Sequence, residues 1–238
     1  SVSIGAPRGI CASSCHFIAR CQLKRQVPIL IPNQVMKQLL NGAHFSALYW
    51  ASRNGHIDIV KLLLAKGAHV NGTLLNNGMP TALMVASGEG HVDVVRLLLA
   101  EGAEVNAKGD SGKNALMDAS YWGQAETVKL LLDKGADANA KSDDGTTALI
   151  WASTGQGNLD TTKILLDRAA DVNAKNNEGQ TALWWASLKG YTEVVRLLLA
   201  KGAEVSVKAK DGYTALKRAK ENGHTEIVQL LEQAGAKE

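Results

Sequence analysis

The sequence predicts an all-α chain, a solenoid of stacked helix–turn–helix units, on three observations. An Ala-Leu pair recurs six times at spacings of 33 to 35 residues, and a leucine-rich apolar run follows each pair. In most units a glycine follows that run at a fixed distance. Self-similarity at such a period is typical of a repeat architecture. The pairs begin at Ala47, Ala82, Ala115, Ala148, Ala182 and Ala215.

Each unit is predicted to hold two helices and a turn, as the unit from Thr181 to Gly202 illustrates. Thr181 is a candidate N-cap, because its hydroxyl can accept a free backbone N–H at the helix start. Gly190 breaks the first helix, and the second helix is predicted from about Thr192 to Ala200. Gly202 then supplies the left-handed residue that ends the second helix.

One unit lacks this terminating glycine. Ala169 stands at that place in the fourth repeat, and a left-handed alanine costs on the order of 1 kcal/mol. The sequence therefore predicts that this unit is locally strained or ends differently. The glycines at the same place in the other units are Gly67, Gly102, Gly135, Gly202 and Gly235.

The apolar spacing of the second helices requires neighbouring units. In the first unit Ile57, Val60 and Leu63 share one helix face, which Leu64 widens. A single helix pair cannot bury such a stripe, whereas a neighbour on each side can. Small Ala-Ser pairs in the first helices should let those helices approach closely. They begin at Ala51, Ala86, Ala119, Ala152 and Ala186.

The unit resembles the ankyrin repeat over residues 44–238, about four fifths of the chain. It has Thr-Ala-Leu where that family commonly has Thr-Pro-Leu, Gly-His pairs between the helices, and tails of the Gly-Ala-Glu-Val-Asn-Ala type. The resemblance implies a curved solenoid with β-hairpin-like loops projecting from one edge. It also implies a binding protein that uses its concave face and hairpin tips. The Gly-His pairs begin at Gly55, Gly90 and Gly223, and the tails at Gly102, Gly135 and Ala169.

The sequence departs from the family at the histidine that usually follows Thr-Pro-Leu. We expect apolar packing to replace the helix-to-helix hydrogen bonds of that histidine. The residues at this place are Tyr49, Met84, Met117, Ile150, Trp184 and Lys217.

The chain divides into three predicted parts. Residues 1–32 are expected to be an irregular, basic, cysteine-containing arm, and residues 33–43 a degenerate capping helix. The last repeat is polar where the others are apolar, as a solvated cap requires. The six repeats are predicted at about 44–73, 74–108, 109–141, 142–175, 176–208 and 209–238.

Charge and cysteine content follow the same division. The net charge of +3 combines +5 in residues 1–43 with −2 in the remainder. A nearly neutral repeat array is a poor electrostatic match for nucleic acid. All three cysteines lie in the first 21 residues, which excludes a disulfide framework for the array. No apolar run is long enough to span a membrane.

The histidines and carboxylates do not indicate an enzyme. His56, His91 and His224 occupy one repeated place, so we expect them to bond to loop backbone. The sequence has no phosphate-binding loop, nucleophile elbow or paired-carboxylate motif. It predicts no catalytic residue, no metal site and no cofactor. The acids early in the second helices, which favour the helix dipole, are Asp58, Asp93, Glu126, Asp160, Glu193 and Glu226.

One cluster of the arm has metal-ligand chemistry. Cys11, Cys15, His16 and Cys21 could form a tetrahedral zinc site, although adjacent ligands fit one metal poorly. Basic residues beside cysteines also fit lipid attachment. Free thiols in a loosely ordered arm are the interpretation we favour.

Aromatic residues mark the predicted partner-binding surface. Trp50, Trp151 and Trp185 share one place on the first helices. The sequence favours neither packing between successive first helices nor contact with a partner for these three side chains. Tyr121 and Trp122 lie where most repeats are polar, so they are the best hot-spot candidates. The full set of candidate partner-binding residues is Tyr121, Trp122, Trp50, Trp151, Trp185, Asp118, Arg53, Leu188, Lys189 and Tyr213.

Lysines at one repeated place of the hairpins predict a spaced basic row. Nearby acids should partly neutralise this row, and the alternative is a groove for an acidic peptide. The lysines are Lys108, Lys141, Lys175 and Lys208, and the acids are Asp110, Asp143, Asp144, Glu178 and Asp211.

Two insertions interrupt the regular repeat. Repeat four has one extra residue beside Tyr121 and Trp122, and the loop before repeat two is longer than the others.

The sequence therefore predicts a non-catalytic protein–protein interaction module that binds a protein or peptide on its concave face and hairpin tips. One alternative is a binding array whose arm engages a metal, a lipid or an anionic membrane. Another is an unconventional enzyme with a site in the concave groove. We expect a monomer that binds no nucleic acid, with a cytoplasmic location favoured and the partner unidentified.

Overall fold

Helices form the regular structure of the computed structural model, which describes residues 44–72, 80–155 and 157–237. Over these ranges the chain has twelve α-helices, one short 3-10 turn and one isolated antiparallel bridge, but no strand. The all-α prediction is confirmed. The predicted arm, capping helix and inserted loop before repeat two lie outside the described residues, apart from Pro80. The helices are α1 His44–Arg53, α2 Ile57–Ala65, α3 Ala82–Glu89, α4 Val92–Ala100, α5 Ala115–Tyr121, α6 Ala125–Asp133, α7 Ala148–Thr154, α8 Leu159–Asp167, α9 Ala182–Lys189, α10 Thr192–Ala200, α11 Ala215–Glu221 and α12 Thr225–Gln233.

Polar caps fix where the first helices of repeats two to six begin. In each, the residue before the helix accepts a hydrogen bond from the backbone N–H three residues on, which satisfies a free donor. The predicted cap Thr181 is confirmed in this role. Helix α1 differs, since it begins at His44, three residues before its Ala-Leu pair. The caps are Thr81, Asn114, Thr147, Thr181 and Thr214.

The helices form two layers. Successive first helices contact each other more closely than successive second helices do, so the first-helix layer lies on the inner, concave side of the curve. Alanines at one place permit this approach and expose at most 5% of their surface: Ala51, Ala86, Ala119, Ala152, Ala186 and Ala219. Leucines of the second helices form a continuous core and are fully buried: Leu98, Leu131, Leu165, Leu198 and Leu231.

An asparagine at the end of each of the first four repeats ties that repeat to the next one. The Asn139 amide donates to the carbonyl oxygen of Ala169 at 3.1 Å, and its Oδ1 accepts the Asp171 N–H at 2.8 Å. Each such bond contributes about 1 kcal/mol. The side chains that make this pair of contacts are Asn71, Asn106, Asn139 and Asn173.

A second set of hydrogen bonds joins neighbouring repeats. Each is donated by the residue that follows the glycine between the two helices of a repeat. His91 Nε2 lies 2.9 Å from the Arg53 carbonyl oxygen, so this nitrogen carries the hydrogen, because a carbonyl can only accept. The structural role predicted for His91 and His224 is confirmed, whereas the exposed His56 side chain forms no hydrogen bond with any other described residue. Residues of three other types do the same, which the sequence did not indicate. The donors are His91, Gln124, Asn158, Tyr191 and His224.

The loops that precede repeats three to six have the expected hairpin-like form and are linked to one another. In the loop of repeat four, for example, the Ser142 N–H donates to the Thr146 carbonyl at 3.1 Å. Neighbouring tips are joined by backbone bonds, such as Asp143 N–H to the Ser111 carbonyl at 3.0 Å. The tips therefore form one continuous edge beside the concave face.

Ala169 is left-handed, with a φ of 60°, so of the two alternatives that the sequence left open this helix end takes the strained one. Ala169→Gly should raise the free energy of unfolding by about 0.5–1 kcal/mol, because glycine adopts this conformation without a Cβ penalty. The greater freedom of glycine in the unfolded chain removes part of the gain. Urea unfolding followed by circular dichroism measures the difference.

Gly202→Ala is the matched control for that substitution. Gly202 has a φ of 86° at the same repeated place, and open space surrounds its Cβ position. This variant should lose about 1 kcal/mol. A less stable Ala169→Gly variant would contradict the account of this helix end.

Candidate functional site

At one repeated position of each first helix, the side chain is at least partly accessible on the concave side. The alanine that follows this place is buried in every repeat, whereas the residue itself is exposed or half-buried. We call these residues the concave row: Trp50, Val85, Asp118, Trp151, Trp185 and Arg218.

Three rings form an aromatic cluster at the centre of this face: Tyr121, Trp122 and Trp151. The Tyr121 ring meets Trp122 edge-on at 5.0 Å between centroids and Trp151 edge-on at 5.7 Å. Edge-to-face contacts of this kind are the favoured geometry for aromatic pairs. Trp122 exposes 53% of its surface. The cluster therefore presents a large apolar side chain whose orientation its neighbours hold.

Two residues of opposite charge border the cluster. The Lys113 ammonium lies 4.1 Å from the centre of the Trp151 ring, a cation–π contact. Burial raises the pKa of Asp118 to about 6, and the nearby Lys113 lowers it in part. The concave row thus contains a largely desolvated carboxyl group next to exposed aromatic surface.

An open cavity of about 400 Å³ adjoins the cluster on its hairpin side. It is lined by Lys113 and Trp151 and by three hairpin residues, Ser111, Asp143 and Asp144. Hydrogen bonds from Ser142 and Thr146 lower the pKa of Asp144 against the opposing effect of burial. The cavity connects the aromatic cluster to the edge formed by the loop tips.

The two other predicted tryptophans form separate pairs. Trp50 is 46% exposed, meets Tyr49 edge-on at 5.4 Å and carries the Arg53 guanidinium over its ring at 5.4 Å. Trp185 is half-buried and meets Trp184 at 5.0 Å. In the described part of the chain, no ring contact joins Trp50 or Trp185 to the aromatic cluster.

The remaining candidates differ in accessibility. Lys189 is exposed at the same repeated place as Trp122, whereas Leu188 is half-buried beside it. Tyr213 already interacts within the chain, since Lys217 and Arg218 lie 4.3 and 3.8 Å from the centre of its ring. Arg53 is exposed and forms an ion pair with Glu89 at 3.3 Å.

The lysine row of the hairpins is exposed, as the sequence predicted. Over residues 80–155 and 157–237, no carboxylate forms an ion pair with Lys108, Lys141, Lys175 or Lys208. Some hairpin acids have other partners, including Asp211 with Arg218 at 2.6 Å and Glu178 with Lys210 at 3.8 Å. The expected neutralisation of the row therefore does not take the form of direct pairing.

Family models identify the repeat. The model described as ankyrin repeats (3 copies) matches residues 72–142, 100–176, 116–209 and 169–237, and the single ankyrin repeat model matches residues 43–73. The chain belongs to the ankyrin repeat family. No curated protein matches it.

Ankyrin repeats are generally protein–protein interaction modules, and ankyrin repeat proteins are generally non-catalytic. In the ranges described, no group of three or more histidine, cysteine, aspartate or glutamate side chains could hold a metal ion. No helix in those ranges is long and apolar enough to cross a membrane.

The prediction that apolar packing replaces the hydrogen bonds of the usual ankyrin histidine is only partly correct. Met84, Met117 and Ile150 are buried where the family usually has histidine, as apolar packing requires. Trp184, however, donates its indole N–H to the Tyr213 carbonyl at 3.3 Å. A polar link between repeats is therefore kept at this place, because indole combines a large apolar surface with one donor.

Proposed function

We propose that this ankyrin array is a non-catalytic module that binds a protein or peptide on the concave face of repeats two to five. The observation that supports it is the aromatic cluster, where Trp122 is 53% exposed and ring contacts hold the side chains in place. Binding hot spots are enriched in tryptophan and tyrosine. Side chains that are already ordered lose less conformational entropy on binding.

The hairpin tips form a second part of the proposed contact surface. Exposed lysines without a carboxylate partner lie along this edge, which continues into the cavity beside Trp151. A partner that lies across the concave face would meet both regions. The lysines favour acidic side chains on the part of the partner that contacts the tips.

Affinity capture from an extract of the source cells tests the proposal with the full chain as bait. The Tyr121→Ala/Trp122→Ala variant should lose the principal partner, because removing a hot-spot side chain costs about 2–4 kcal/mol. Circular dichroism confirms that the variant folds. Trp122→Ala alone provides a milder variant, since this side chain is mostly exposed.

Leu62→Ala/Leu159→Ala is the matched control. These leucines are exposed, 45% and 39%, but lie on the second helices. The control should keep every partner of the unaltered chain. Equal capture by all variants, or a loss confined to the control, would refute the assignment of the binding face.

A further inference from the structure

Asp118 is exceptional in the concave row. The aromatic and basic side chains of the row contact others of the chain: Arg53 lies over Trp50, Lys113 over Trp151, and Asp211 pairs with Arg218. Within the described ranges, the Asp118 carboxylate forms no hydrogen bond and no ion pair within 4 Å. Burial without such a partner raises its pKa to about 6. A desolvated carboxylate of this kind lowers stability and has no evident role inside the chain.

Gly88 of the preceding repeat lies against both Asp118 and Trp122. A Cβ atom at Gly88 would lie 3.3 Å from Trp122 Cδ1 and 3.6 Å from Asp118 Cβ. Both side chains therefore border the place that a side chain at residue 88 would fill. A group entering from the concave side would meet the carboxylate and the exposed Trp122 ring together.

The chain builds a complete example of this arrangement from its own residues. The Arg218 guanidinium pairs with the Asp211 carboxylate at 2.6 Å and lies 3.8 Å from the Tyr213 ring centre. It also lies 4.8 Å from the Trp184 ring centre. A planar guanidinium can bind a carboxylate and stack on an aromatic ring at the same time, which an ammonium does less well. Asp118 and Trp122 supply the carboxylate and the ring without the cation.

We propose that Asp118 and Trp122 receive an arginine side chain of the protein partner, with the guanidinium paired to the carboxylate and packed against the indole. This inference rests on the proposed concave binding surface and specifies the chemistry of the partner. Lys113 acts electrostatically on the Asp118 carboxyl, but its ammonium is positioned over Trp151. The guanidinium would supply the partner that Asp118 lacks.

Selection from a displayed library of random 12-residue peptides tests the inference, with the full chain as target. Peptides should be retained only if Tyr121→Ala/Trp122→Ala weakens their binding. We expect arginine at one recurrent position of these peptides. Asp118→Asn should weaken their binding about 10–100-fold, which is the range for the loss of one hydrogen bond to a charged group. This variant keeps the side-chain shape and removes a buried charge, so it should fold.

A double-mutant cycle completes the test. Replacing the recurrent arginine by glutamine should weaken binding of the unaltered chain by a similar factor and have little further effect on Asp118→Asn. Gly88→Leu, which places a large side chain against Trp122 and Asp118, should also weaken the binding of these peptides. Peptides that need Tyr121 and Trp122 but are unaffected by Asp118→Asn, or that carry lysine instead, would overturn the arginine assignment alone. If no selected peptide depends on Tyr121 and Trp122, the concave binding surface itself is refuted.

Discussion

Gly155→Ala should lower the free energy of unfolding by about 2–4 kcal/mol, at the upper end of what overpacking costs. A Cβ atom here would overlap the carbonyl oxygen of Tyr121 and lie 2.9 Å from its carbonyl carbon. Because the obstacle is backbone, the third and fourth repeats must move apart. The shift would also disturb the hydrogen bond from the Tyr191 hydroxyl to the Gly155 carbonyl, now 2.5 Å long.

The effect on the cooperativity of unfolding should be as informative as the effect on stability. Repeat arrays unfold as units coupled through their interfaces, so a weakened interface separates the two sides of the array. Urea unfolding of Gly155→Ala should therefore show a broader or divided transition. Near-ultraviolet circular dichroism should also change, since Tyr121 orients Trp122 and Trp151.

Gly88→Ala is the control for Gly155→Ala, because it also adds one methyl group beside the aromatic cluster. Gly88 is inside α3, and the nearest atom to its Cβ position is the side-chain atom Trp122 Cδ1 at 3.3 Å. The higher helix propensity of alanine, about 1 kcal/mol, offsets this tight contact. The stability of this variant should stay within about 1 kcal/mol of the unaltered chain. A Gly155→Ala variant with an unchanged transition would contradict the close approach of repeats three and four.

Asp118→Asn should raise the free energy of unfolding at pH 7.5 by about 1–3 kcal/mol. Burial raises the pKa of Asp118 from 3.8 to about 6, so the folded chain binds this proton more tightly than the unfolded chain. Well below pH 3.8, the ordinary pKa of the group, the carboxyl is protonated in both states and costs nothing. As pH rises from 4 to 6 the stability falls, and above pH 6 the full cost is present.

Urea unfolding at pH 4.5 and pH 7.5 measures this dependence. The advantage of Asp118→Asn should be largest at pH 7.5 and small at pH 4.5. Asp143→Asn makes the same change at an exposed position and should alter stability by less than about 0.5 kcal/mol. If Asp118→Asn destabilises the chain at pH 7.5, the carboxylate has a stabilising contact within the chain.

Local features of each repeat were predictable because residues of similar type occupy the same positions in successive units. The cap at Thr181 and the second helix from Thr192 to Ala200 follow from residue types at fixed places. The missing glycine marked Ala169 as a helix end that is strained or different, and the structure shows the strained form. Such choices depend on neighbours in sequence, such as a hydroxyl before a helix or the absence of a glycine after one.

Contacts between repeats were less predictable, because they depend on which side chains stacking brings together. The sequence marked Tyr121 and Trp122 as a pair, but not their association with Trp151. It placed Asp118 in the concave row without indicating that burial would leave its charge unpaired. The hydrogen bond between repeats at the position of His91 was predicted only where that residue is histidine. Gln124 occupies the same position in the next repeat and also donates to a backbone carbonyl.

Site-specific photocrosslinking tests the central claim, partner binding on the concave face, most directly. A photoreactive phenylalanine would replace Lys189, exposed at the place equivalent to Trp122, or Lys129, exposed on the second helix α6. With the captured partner bound to the full chain, position 189 should give a covalent adduct and position 129 none. Adducts from position 129, with none from position 189, would contradict a concave binding surface.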